Sequence, residues 1–185
     1  MLPAINDVIY GKASALADKL DTGLNPNATF FMLYPYNQSV SLLDVGIQAG
    51  QRGIVKMLLD HEASVNPVYL VPSAGSTNVQ VEAPLPVAAM YGEDDVIRLL
   101  LKKGADINQR DTGGGRSVTA LDRAVYAQDL STVYLLLTHG ADINSVLGPG
   151  STVPEVLLRG PIFPRRMVAL RNLLIKYGAK MPSGQ

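Results

Sequence analysis

Three stretches of this 185-residue chain align with one another without a gap. They are Ser41–Asn66 (SLLDVGIQAGQRGIVKMLLDHEASVN), Ala83–Asn108 (APLPVAAMYGEDDVIRLLLKKGADIN) and Thr119–Asn144 (TALDRAVYAQDLSTVYLLLTHGADIN). Self-similarity of this kind constrains a fold more than any other feature, because each copy must form one supersecondary unit. Val55, Leu58 and Leu59 fall at i, i+3 and i+4, as do Ile97, Leu100 and Leu101, and Val133, Leu136 and Leu137. That spacing predicts a helix with one buried face. Gly104, Gly140 and Gly178 follow the helical runs, where a left-handed C-cap is needed. Lys102, Lys103, His139 and Lys176 lie in last turns, and Glu93, Asp94 and Asp95 open a helix. Each sign stands at the end of the helix dipole that favours it. No copy can cover its own apolar face, so the copies must stack.

The copies resemble the ankyrin repeat, whose period is about 33 residues and whose signature begins Thr-Pro-Leu-His-x-Ala. The likeness rests on Ala83-Pro84-Leu85-Pro86-Val87-Ala88-Ala89, Gly104-Ala105-Asp106-Ile107-Asn108 and Gly140-Ala141-Asp142-Ile143-Asn144. The motif histidine is replaced by Asp44, Pro86 and Asp122. The glycine between the helices is Gly50 and Gly92 but becomes Gln128, and the helix-ending glycine of the first copy is Glu62. Two degenerate units flank the three. Leu2–Asn27 keeps Gly11 and Gly23 at the interval of Gly92 and Gly104, and Thr152–Pro182 ends in LRNLLIKYGAK. The resemblance implies an all-α solenoid of about five helix-turn-helix repeats with extended β-hairpin finger loops. It is read as one domain over 1–185: an N-terminal cap repeat and loop (1–40), repeats at 41–82, 83–118 and 119–151, and a C-terminal cap repeat (152–185).

Insertions mark the candidate binding surface. The family period leaves about 8 residues between one unit's Asn and the next motif start. Here those gaps are 14, 17, 11 and 8. The first three are long at the same place, the finger between repeats, and insertions in a solenoid gather on one face. The last unit is extended between its helices instead, at Gly160–Pro164. Finger one carries Phe30, Phe31, Tyr34 and Tyr36; finger two carries Tyr69, Leu70 and Val71; finger three is glycine-rich between Arg110 and Arg116. The Phe pair reads equally as core or as a surface anchor. In ankyrin repeats partners sit on the concave face, against the fingers and the ends of the first helices. By position those ends are Ile9 and Tyr10, Gln48 and Ala49, Met90 and Tyr91, Tyr126 and Ala127. Tyrosine gives large contact area at low entropic cost. The expected partner-binding residues are therefore Tyr10, Tyr34, Tyr36, Gln48, Tyr69, Met90, Tyr91, Arg110, Arg116 and Tyr126.

Composition narrows the chemistry. Lys plus Arg equals Asp plus Glu at 16 each, which offers no general attraction to nucleic acid or an anionic membrane. The balance is uneven, with 10 basic and 15 acidic residues through Asn144, then 6 basic and 1 acidic after it. A basic end could meet an acidic partner or nucleic acid, but the preferred reading is a solvated cap that keeps the last repeat soluble. Zero cysteines exclude disulfides, thiol nucleophiles and Cys-ligated metal. His61-Glu62 begins like a zinc-protease helix, but Val65 stands where the second histidine belongs. Thr112–Ser117 lacks the spacing of a phosphate loop, and Gly148–Thr152 reads as a turn into a helix. Asp44 and Asp122 are expected to bond backbone in their turns. No catalytic residue, metal or cofactor is expected.

The resemblance then implies a non-catalytic protein-interaction module. Short, divergent, cysteine-free ankyrin proteins are similar to bacterial ones, among them immunity proteins that neutralise a cognate toxin or secreted effector. That is the leading expectation, with a cytoplasmic site (periplasmic if a signal peptide was removed), a free monomer, and no nucleic acid or membrane insertion. The alternatives are a scaffold or adaptor, including a periplasmic stress-related type, and a host-directed effector.

Overall fold

A computed structural model describes residues 2–32, 38–67, 69–73, 76–80, 83–111, 117–144 and 165–179 of the chain. Its repeated unit is a pair of short helices. The pairs are α1 (Leu2–Ile9) with α2 (Ala13–Asp21), α3 (Leu42–Gln48) with α4 (Arg52–Asp60), α5 (Pro84–Met90) with α6 (Asp94–Lys102), and α7 (Ala120–Ala127) with α8 (Leu130–Thr138). A single described helix of the last unit, α9 (Arg165–Lys176), follows. The first helices α1, α3, α5 and α7 pack side by side, and α2, α4, α6, α8 and α9 form the second row.

Local chemistry sets each helix's ends. Ser41 and Asp44 form a reciprocal capping box at the start of α3, and Thr119 and Asp122 form another at α7. In each, the side chain of the capping residue accepts the N–H of the aspartate three positions on, while the aspartate carboxylate accepts the capping residue's N–H. The aspartates that displaced the motif histidine thus bond backbone, as expected. At α5 the cap is replaced by Pro84 in the first turn, where a missing N–H is harmless. The inter-helix turns need a left-handed residue. Gly50 and Gly92 supply it at φ +65° and +64°, and Gln128 holds the same conformation at +56°. Glu62 does the same at the end of α4, at φ +66°.

Small residues let the first helices approach. Gly46, Ala88 and Ala124 occupy one repeat position, and the two alanines are fully buried. A β-carbon on Gly46 would lie 3.2 Å from Val55 Cγ2. Leu58, Leu100, Leu136 and Leu174, also equivalent to one another, are fully buried between the two rows.

The Gly-Ala-Asp-x-Asn endings carry a hydrogen-bonded ladder from unit to unit. Asn66 Oδ1 accepts the Asp106 N–H at 2.8 Å, and its Nδ2 donates to the Gly104 carbonyl at 3.0 Å. Asn27 repeats this with Ser64 and Glu62, Asn108 accepts from Asp142, and Asn144 donates to the Gly178 carbonyl. Asp106 and Asp142 each accept the N–H two residues on, closing the turn that aims the asparagine.

The insertions are hairpins whose size follows the inserted length. β1 (Thr29–Met32) pairs antiparallel with β2 (Gln38–Ser41), and β3 (Tyr69–Ser73) with β4 (Ser76–Gln80). The shortest insertion gives one bridge, Asp111 to Val118. Phe30 faces Val40 across finger one, and both are buried in the core, which decides the alternative for Phe30 in favour of packing. The extension at Gly160–Pro164 and the turn at Gly148–Thr152 lie outside the described residues.

Candidate functional site

Each first helix ends by turning its last residues out of the stack, because the left-handed residue that follows redirects the chain. The result is a stripe along the first-helix row. Tyr10, Tyr91 and Tyr126 expose 71%, 49% and 51% of their surface, and Ile9 and Met90 are similarly open. Gln48, Ala49 and Ala127 complete the stripe and are exposed. The structure therefore aligns five of the ten expected partner-binding residues: Tyr10, Gln48, Met90, Tyr91 and Tyr126.

The other five are placed differently. Arg110 stands at the root of finger three, half-buried, with Nη1 donating to the Ser117 carbonyl at 3.1 Å. Its guanidinium ties the two sides of the finger's root together. Tyr69 opens β3, opposite Gln80. Tyr34, Tyr36 and Arg116 lie outside the described residues.

Sequence reading missed Arg123. Its Nη2 donates to Asp111 at 2.9 Å and its Nη1 points at Met90 Sδ, 3.7 Å away. Asp111 is almost fully buried, so this pair anchors finger three to α7 and sets a cation beside the stripe. The two partners belong to different elements 12 residues apart, and no spacing rule joins them. The only available signal was a lone arginine in α7 where the equivalent positions of α3 and α5 carry Val45 and Val87.

Charge separates the two rows. The second-helix row is laced with ion pairs: Arg52 with Glu93 and Asp95, and Asp60 with Lys56 and Lys103. The stripe itself holds tyrosine, methionine, isoleucine, alanine and glutamine. Beneath it, burial pushes the Asp44 carboxyl up to about 6. Hydrogen bonds from Ser41 oppose the shift and the charge of Asp111 adds to it. Burial likewise raises Asp122, against hydrogen bonds from Thr119. Among the described residues no cluster of His, Asp and Glu is arranged to hold a metal. His61 lies 4.0 Å from Asp21, and His139 Nδ1 meets the Leu135 carbonyl. No helix of the described residues is long and apolar enough to cross a membrane.

A profile described as ankyrin repeats in three copies matches residues 68–146. That stretch is similar to ankyrin repeats. Similar ankyrin stretches occur in the mouse B-cell lymphoma 3 protein homolog, 39% identical over 105 residues, which is 53% of this chain and 23% of that protein. A putative ankyrin repeat protein of Rickettsia bellii is 35% identical over 102 residues, 52% of this chain and 41% of that protein. The mouse 2-5A-dependent ribonuclease is 45% identical over 84 residues, 44% of this chain and 11% of that protein. The matched stretch thus spans less than half the length of each of these relatives. Ankyrin repeats imply a protein–protein interaction module and are in general non-catalytic scaffolds.

Proposed function

We propose that the chain binds one protein partner through the first-helix stripe and neutralises it, the partner being a cognate toxin or secreted effector. The observation that carries this reading is the row of exposed, uncharged aromatics on a face held rigid by the asparagine ladder and the buried core. Tyrosines on a preorganised surface anchor interfaces with little entropic loss. A preorganised aromatic surface suits covering a folded enzyme's active site or locking it in an inactive form. The Rickettsia relative supports a bacterial setting. On this reading the protein acts in the cytoplasm, without catalysis of its own and without nucleic acid.

A second reading has its own support. The relatives carry the matched repeats within much longer chains, which favours a scaffold or adaptor role. Affinity capture of the tagged protein from its source cells separates the two. The neutralising role predicts one stoichiometric enzyme whose activity falls to zero as this protein is titrated to equimolar amounts. Recovery of several unrelated proteins, or an enzyme whose activity is unchanged by saturating amounts, contradicts neutralisation and leaves the adaptor role.

A further inference from the structure

Peroxides have few targets in this chain. It holds no cysteine and no tryptophan, so its six methionine thioethers are the side chains a peroxide oxidises first. Two of those side chains are among the described ones, and they are placed oppositely. Met57 in α4 is half-buried and packed against the core. Met90 ends α5 and is 47% exposed. It stands in the first-helix stripe, at the repeat position held by Ile9, Gln48 and Tyr126 in the other units.

The Met90 sulfur faces a cation short of acceptors. Arg123 Nη1 points at Met90 Sδ from 3.7 Å, and a thioether is only a weak acceptor. Arg123 Nη2 donates to Asp111 at 2.9 Å, while its Nε is buried with no hydrogen-bond partner among the described residues. Asp111 is almost fully buried and fixes the planar fork, so Nη1 stays aimed at the sulfur. The equivalent positions of the earlier units hold Asn6, Val45 and Val87, so this pairing of sulfur and guanidinium is made between α5 and α7 alone among the described units.

We propose that Met90 is a reversible oxidation site, converted by hydrogen peroxide to a sulfoxide whose oxygen Arg123 then holds. The sulfur gives up two electrons and bonds one peroxide oxygen. The O–O bond breaks, and the other oxygen leaves as water with both peroxide protons. Attack comes at the sulfur lone pair open to solvent, and rotation about the Cγ–Sδ bond swings the new oxygen to Nη1. The weak contact of the thioether becomes a charge-assisted hydrogen bond. Reversal takes a dithiol reductase, which supplies two electrons and two protons, releases the oxygen as water and ends as a disulfide. In the oxidised state a flexible apolar contact of the stripe is polar. Partner binding then weakens, because the interface has to bury that oxygen. This last consequence rests on the proposed function, whereas the oxidation site itself does not.

The test treats the full chain with graded hydrogen peroxide and follows each methionine by peptide mass spectrometry. Met90 should gain one oxygen at least about tenfold faster than Met57. The Arg123 guanidinium is read by heteronuclear NMR before and after. Its N–H signals should shift on oxidation of the parent, stay in place in Met90→Leu given the same dose, and return after treatment with reductases for both sulfoxide epimers. Equal rates at Met90 and Met57, or Arg123 signals unmoved in the oxidised parent, overturn the proposal. At the dose that converts Met90, the affinity of the captured partner should fall about tenfold and recover on reduction. Met90→Leu should show one affinity before and after peroxide, whatever its starting value. A partner that binds oxidised and reduced protein equally, yet is lost by the Tyr91→Ala, Tyr126→Ala double variant, overturns the switch and leaves the proposed function standing. A partner indifferent to both changes removes the stripe as its binding surface, and the peptide and NMR results still decide the oxidation site.

Discussion

Glu62 and Gln128 hold the left-handed conformation that glycine holds at the equivalent turns of other units. For an L-residue that conformation costs roughly 1–2 kcal/mol. Glu62→Gly and Gln128→Gly should therefore each stabilise the protein by about 1 kcal/mol, seen as a rise of about 2–4 °C in thermal midpoint. Both residues were visible in sequence as breaks in a glycine pattern. The breaks gave no reason to expect the turn to survive, because the turn is imposed by the packed helices on either side. Asp44 makes a second prediction. Its folded pKa is raised to about 6 from 3.8, mainly by burial, so the folded chain keeps a proton that the unfolded chain has lost. The resulting stability is present below about pH 4 and is lost as pH climbs through about 6. Asp44→Asn keeps an oxygen for the Ser41 N–H and removes the titration. Chemical denaturation should show the variant gaining on the parent between pH 4 and 7.5 by on the order of 2–3 kcal/mol. Parallel curves for the two proteins would contradict the buried-carboxylate account.

Elements are joined here by single side chains, and the asparagine ladder is the clearest case. Asn66 makes two hydrogen bonds to the next unit, through one acceptor and one donor atom. Asn66→Ala orphans the Asp106 N–H and the Gly104 carbonyl at the surface. It should cost about 1–3 kcal/mol by denaturant titration, and Asn108→Ala less, since Asn108 makes one such bond among the described residues. The helices and their ends were legible because apolar spacing, caps and turn residues all act within a few positions of each other. The fingers were legible only as surplus length. Their pairing depends on which residue faces the core, and Thr29-Phe30-Phe31-Met32 has no alternation to tell. The structure resolves this by setting Phe30 opposite Val40. The Arg123–Asp111 pair was illegible for a related reason, since a finger and a helix meet there only in the folded chain.

At the scale of the whole molecule the stack divides its labour between two rows. Ion pairs within the protein lace the second-helix row. The first-helix row leaves one pair of residues per unit uncommitted, and in three of four units that pair includes a tyrosine. The sequence registered this row because the repeat fixes which residues are equivalent, although three of the expected binding residues lie outside the described structure. Since Tyr91 and Tyr126 are half-exposed and occupy adjacent units, replacing both with alanine should leave the thermal midpoint within about 2 °C of the parent. The most direct test of the binding account is the affinity of the captured partner for the parent and for the Tyr91→Ala, Tyr126→Ala double variant, measured side by side by calorimetry. The account predicts a loss of about 100-fold or more with an unchanged melting profile. Equal affinities would contradict it and remove the first-helix stripe as the binding surface.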